Sequence, residues 1–94
     1  MNEHTRTGGE TTGTLFAWRG DEIVLFGERN GDAWILARGW VFGDRLVDVR
    51  RWTFGTPASL AGQVRRLARE ATGNQTIAAA AAAAALDWAL GVGR

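Results

Sequence analysis

The side chains able to do chemistry in this sequence are few, and arginine and tryptophan dominate them. Among 94 residues there is one histidine, His4, one serine, Ser59, and no cysteine. A zinc site needs three or four Cys, His or carboxylate ligands converging on one point. A lone histidine in a polar stretch cannot supply that, so no metal is expected. A serine nucleophile needs a base within hydrogen-bond reach. Ser59 follows Thr56-Pro57-Ala58, where it reads as part of a helix start, and no other histidine exists to activate it. The 13 glycines form no GxxxxGK[ST] phosphate loop. Asp21-Glu22 falls in a turn, and nothing separates the carboxylates Glu28 and Asp48 from solvated strand charges. These residues point to a protein that is not an enzyme and needs no cofactor.

What remains is binding chemistry. There are five tryptophans, and all 11 basic residues are arginine. Guanidinium groups fork onto phosphates and stack on rings, and exposed aromatic rings are platforms for bases. Net charge is only +1, with a pI near 9.0, and its distribution is uneven. Residues 14–54 carry as many acids as arginines, whereas 57–72 carry Arg65, Arg66 and Arg69 against Glu70 alone.

The elements that must position these groups follow from turn signals and periodicity. Residues 1–13, MNEHTRTGGETTG, are polar throughout and read as a disordered tail. They lack an apolar h-region, so no secretory signal is expected. Residues 14–54 read as four strands, near 14–19, 22–29, 32–42 and 45–54. The expected two-residue turns are Gly20-Asp21, Asn30-Gly31 and Gly43-Asp44. Asn-Gly favours a type I′ turn. That register sets Arg19 against Glu22 and Arg29 against Asp32, opposite charges across each turn.

Helices follow. Thr56 is a candidate N-cap with Pro57 at the first helical position, opening a helix over 56–72 that Gly73-Asn74 ends. Leu60, Val64, Leu67 and Ala71 form its apolar stripe, with the arginines off it. A second, alanine-rich helix spans 75–90, too weakly apolar to be expected to cross a membrane. The expected fold is therefore α+β: a four-stranded antiparallel meander followed by two C-terminal helices, in one domain over 14–94.

Alternation along the strands sorts side chains onto two faces. One collects Phe16, Trp18, Ile23, Leu25, Trp34, Leu36, Trp40, Phe42, Val47 and Val49, a tryptophan face suited to packing under the alanine helix. The other collects Leu15, Ala17, Val24, Phe26, Ala33, Ile35, Ala37, Gly39, Val41 and Leu46, then Asp48, Arg50, Trp52 and Phe54. A one-residue slip would exchange the faces, and the last strand is where such a slip matters most.

Both faces are substantially apolar, yet only two helices exist to cover them. Either one helix covers each face, or both cover one and the other pairs with a second copy. A homodimer is expected, with Ile35 and Val41 on the sheet and Ala81 and Ala85 on the charge-poor helix as interface candidates. For nucleic acid, the candidates are Trp52 and Phe54 as stacking platforms, with Arg50, Arg51, Arg65, Arg66 and Arg69 on phosphates. The meander-then-helix order, and the texture of the strand Leu46-Val47-Asp48-Val49-Arg50-Arg51-Trp52, resemble the Whirly single-strand binders at the level of fold. That resemblance implies single-stranded DNA or RNA as partner. The alternative is a protein-interaction or dimerisation module without nucleic acid. A cysteine-free chain suits a reducing compartment, so a cytoplasmic location is expected.

Overall fold

The computed structural model describes residues 11–12 and 15–92. Four long antiparallel strands form one open meander, β2 (Leu15–Gly20), β3 (Ile23–Asn30), β4 (Ala33–Phe42) and β5 (Arg45–Phe54). Two helices follow, α1 (Pro57–Thr72) and α2 (Gln75–Val92). The expected α+β architecture is present. One short strand is added: β1 (Thr11–Thr12) pairs antiparallel with β2, inside the stretch read as a tail. The rest of that stretch lies outside the described residues.

The turns differ from expectation by one position. β2 pairs Gly20 with Ile23, and β3 pairs Asn30 with Ala33, so the two-residue loops are Asp21-Glu22 and Gly31-Asp32. The third loop is Gly43-Asp44 as expected. In all three, only the first loop residue has positive φ: Asp21 at 53°, Gly31 at 64° and Gly43 at 66°. That is the φ pattern of a type II′ turn, not the type I′ that Asn-Gly suggested. The expected charge pairs across the turns do not form, because Arg19 pairs with Val24 and Arg29 with Trp34. Instead the Arg29 guanidinium lies 4.6 Å from the centre of the Trp34 ring, and its Nε–H donates to the Gly31 carbonyl at 2.7 Å. Moving each loop by one residue shifts the pairing by two, so the faces of β2, β3 and β4 are unchanged.

β5 is different. Its pairing with β4 runs regularly from Phe42↔Arg45 to Trp40↔Val47, then shifts, resuming at Arg38↔Arg50 and continuing through Leu36↔Trp52 to Trp34↔Phe54. Gly39 therefore stands opposite both Asp48 and Val49, a β-bulge. Asp48 adopts φ 52°, a left-handed conformation that Asp tolerates better than most residues. The Arg38 guanidinium holds it, 3.6 Å from the Asp48 carboxylate and 3.5 Å from its carbonyl oxygen. The bulge reverses the faces of the rest of the strand. Arg50, Trp52 and Phe54, expected on the face opposite the core, lie on the same side as Trp34 and Leu36. Trp52 and Phe54 pack there, half-buried, against the core. Deleting Asp48 would leave Val49 opposite Gly39 and every other pair in place. Such a chain is expected to keep its far-ultraviolet dichroism but to unfold at a lower temperature, because the largely buried Arg38 loses its carboxylate partner; loss of the dichroism would show that the strand pairing itself needs the extra residue.

Both helices lie on the tryptophan face. Phe16, Trp18, Ile23, Leu25, Trp34 and Leu36 from the sheet meet Leu60, Val64 and Leu67 of α1 and Ala78, Ala81, Ala85 and Trp88 of α2. α1 is capped as read: Ser59 N–H donates to Thr56 Oγ1 at 3.1 Å, and Gly73, at φ 65°, donates its N–H to the Arg69 carbonyl at 2.8 Å. Asn74 caps α2 by accepting from the Ile77 N–H at 3.0 Å. Two glycines make room for indoles. Trp88 lies over Gly27, whose missing Cβ would be 3.1 Å from its ring, and a Cβ on Gly20 would fall within the Trp18 ring. Gly20→Ala should therefore cost about 1–3 kcal/mol by overpacking; an unchanged thermal midpoint would mean that Trp18 swings away freely.

Candidate functional site

With both helices on one side, the other side of the sheet is bare among the described residues. Its rows run across the strands through Leu15, Glu28 and Ile35, then Ala17, Phe26, Ala37 and Arg51. Leu46 and Val49 extend it toward the β4–β5 turn, and with Phe26, Ile35, Ala37, Glu28 and Arg51 they line a shallow depression of about 300 Å³. Leu15, Phe26, Leu46 and Val49 are each between 42% and 53% exposed, a large fraction for side chains of this size. The alternation of the sequence forces this: each strand has apolar residues at both parities, and the helices can satisfy only one.

The β4–β5 hairpin also outruns its neighbours. Trp40 pairs with Ile23, the first residue of β3, so Val41 to Leu46 project beyond it. Trp40, Phe42 and Val47 were expected in the core. They lie on the helix side but outside the core: Trp40 lines a small cleft beside Leu67 and Ala71 of α1, and Phe42 is 73% exposed. Val49 leaves that face at the bulge and joins the bare one.

The interface candidates divide. Ile35 and Val41 lie on the bare face, half-buried by their neighbours. Ala81 and Ala85 do not reach the surface: both are buried in this chain's own core, so they cannot line an interface. The side that α2 turns to solvent carries Ile77, Ala80, Ala83, Asp87 and Leu90.

The nucleic-acid candidates are dispersed. Arg65, Arg66 and Arg69 share one exposed side of α1 and line a shallow cleft with Gly62 and Glu70. Arg66 Nε is 3.9 Å from the Glu70 carboxylate. Arg51 is exposed on the bare face, paired with Ala37, while Arg50 is exposed on the helix side, paired with Arg38. Trp52 and Phe54, being packed against the core, do not form the open platform expected of them. The side chain that sequence reasoning missed is Arg38. It is 13% exposed, lies 5.5 Å from the centre of the Trp40 ring, and lines a small cleft with Leu67, Glu70 and Ala71 of α1. An arginine between Leu36 and Trp40 on a core-facing parity was the available signal.

Among the described residues, no group of three or more His, Cys, Asp or Glu side chains could hold a metal ion. β4 separates Glu28 from Asp48, and the Ser59 hydroxyl accepts from Thr56 Oγ1 at 2.9 Å within the helix cap. No helix among the described residues is long and apolar enough to cross a membrane. Compared with known proteins, the chain matches no family model, no curated protein and no solved structure.

Proposed function

We propose that this protein is a small non-enzymatic binding module that self-associates as a homodimer through the bare face of its sheet, in the cytoplasm. The observation that carries this reading is that face itself, with Leu15, Phe26, Leu46 and Val49 each near half exposed on one continuous surface. Contiguous apolar surface of this extent is a mark of interaction sites. A second copy is the occupant that fits. Residues 1–10, MNEHTRTGGE, offer one large apolar side chain, Met1, too little to cover the face. Strands spaced ~4.8 Å apart and ~25 Å long present roughly 500 Å² per copy, or about 1,000 Å² for the pair, which reaches the lower bound for a specific interface. The face carries both signs of charge, Glu28 and Arg51, so it can complement itself. Edge pairing is disfavoured, because β5 is interrupted by the bulge and carries Arg45, Arg50 and Arg51. Sedimentation velocity at micromolar concentration tests this. Twice the chain mass is expected, and a single-chain mass throughout that range would end the proposal.

Nucleic-acid binding is a second reading, favoured by the grouping of Arg65, Arg66 and Arg69 on one exposed side of α1. It takes a reduced form: phosphate contacts from the helix, without base stacking on Trp52 and Phe54. Binding of this kind weakens steeply with salt and discriminates little between sequences. It is compatible with the dimer, because α1 lies on the side of the sheet away from the bare face.

A further inference from the structure

We infer that the outer side of α1 is a track for a phosphate backbone, and that Gly62 allows that backbone to lie close against the helix. The inference rests on the nucleic-acid reading above and names its surface. Gly62 sits in the interior of α1, exposed, with nothing within 4 Å of where its Cβ would be. Its φ is not in the left-handed region, so alanine would fit. Glycine in a helix interior lowers stability relative to alanine, and among the described residues no turn, bulge or neighbouring side chain offsets that. A ligand lying against the helix would supply the offset.

The place of Gly62 says what. It precedes Arg65 and Arg66 by three and four residues and Arg69 by seven, so all four share one stripe. They line the same cleft, whose three arginines and one glutamate leave a net +2. Toward the N-terminus the outer side continues with Ala58 and Ser59, both small and exposed. No acidic residue occupies the first turn, where the helix dipole is positive. From Ala58 to Arg69 the track is about 16 Å long. A membrane surface fits less well, since this side has no large apolar residue to insert. An acidic protein also fits less well. A carboxylate on a side chain reaches arginine from a distance and gains nothing from a missing Cβ. A polymer whose charge lies in its own backbone must lie down on the helix, and there a Cβ is in the way.

The test uses the full chain and a fluorescent oligothymidylate, followed by anisotropy at low and high salt, with polyglutamate as competitor. The wild type is expected to bind, more weakly as salt rises. Arg65→Ala, Arg66→Ala and Arg69→Ala together should weaken binding more than tenfold. Gly62→Ala should raise the thermal midpoint by about 4–8 °C and yet bind about five- to tenfold less tightly, the size of one lost phosphate contact. No binding by the wild type at low salt would overturn the nucleic-acid reading and the track with it. Binding by Gly62→Ala equal to wild type, or a triple variant that binds normally, would overturn the track and leave the reading standing. Competition by polyglutamate as strong as by unlabelled oligothymidylate would overturn nucleic acid in favour of an acidic protein.

Discussion

Phe16→Ala is expected to remove about 3–5 kcal/mol of stability. Phe16 is fully buried on β2, and its ring centroid is 5.8 Å from that of Trp88 in a tilted arrangement. Across the sheet it pairs with Gly27, the residue over which Trp88 lies. Truncating it leaves a hole among side chains that cannot close it. Gly27 has no side chain to move, and Trp88 of α2, already packed over Gly27, would lose its ring contact. For a chain of this length, total stability is about 5–14 kcal/mol, so the variant would stand near the edge of folding. Urea denaturation at a fixed protein concentration, with a slope of ~1–3 kcal/mol per molar, should show the midpoint falling by more than 1 M. Fixed concentration matters because association adds to apparent stability. A loss below ~1 kcal/mol, typical of a surface site, would mean that α2 does not rest on β2 and β3 through this contact.

Ile35→Asp is expected to convert the dimer to a monomer while leaving the chain folded. Ile35 lies on β4 on the bare face, beside Glu28 on β3 and opposite Thr53 on β5. Its side chain points away from both helices, so the core loses nothing. In a face-to-face dimer the new carboxylate would be desolvated near Phe26 and Glu28, with Arg51 of the same depression as the nearest cation. Even with Arg51 near, burying a new charge in the interface costs several kcal/mol of desolvation, which corresponds to a dissociation constant raised by more than 100-fold. Sedimentation should show one chain mass where the wild type shows two, with dichroism and tryptophan emission unchanged. A dimeric Ile35→Asp would place the interface elsewhere, with the projecting β4–β5 turn and its exposed Phe42 as the next candidate. Alanine at Arg65, Arg66 and Arg69 should leave the dimer intact, which separates the two surfaces.

The order of elements was legible from local chemistry, because the signals are short in range. Thr56-Pro57 and Gly73-Asn74 mark helix ends through the bonds their own side chains and backbone make. The turns were legible to within one residue. The faces of β2, β3 and β4 survived that error because moving a hairpin loop by one shifts its pairs by two, and side chains alternate with a period of two. The surplus of apolar residues on a sheet with only two helices was also visible, as a matter of composition at alternate positions. The orientation of α2 was not. Eight alanines in a row, Ala78 to Ala85, have no periodicity, so nothing in them distinguishes Ala81 and Ala85, which are buried, from Ala80 and Ala83, which are exposed. Only packing against α1 and the sheet selects a side.

The second half of β5 was also decided by the tertiary structure. Read alone, Arg45 to Phe54 places Val47 and Val49 at odd positions and Trp52 and Phe54 at even ones, a change of phase across Arg50-Arg51 that fits a bulge, although Asp48 itself does not announce one. Regular pairing would have put Trp52 and Phe54 on the bare face and Arg51 and Thr53 toward the helices. One left-handed residue and one interrupted pair reverse this. They bring two large rings against the core and send Arg51 to the surface, and burying aromatic area outweighs a local break in the ladder. The sequence by itself thus determined which elements form and that apolar surface would be left over. The three-dimensional packing decided which surface that is, because the position of a β-bulge and the rotation of an alanine helix are settled by long-range burial.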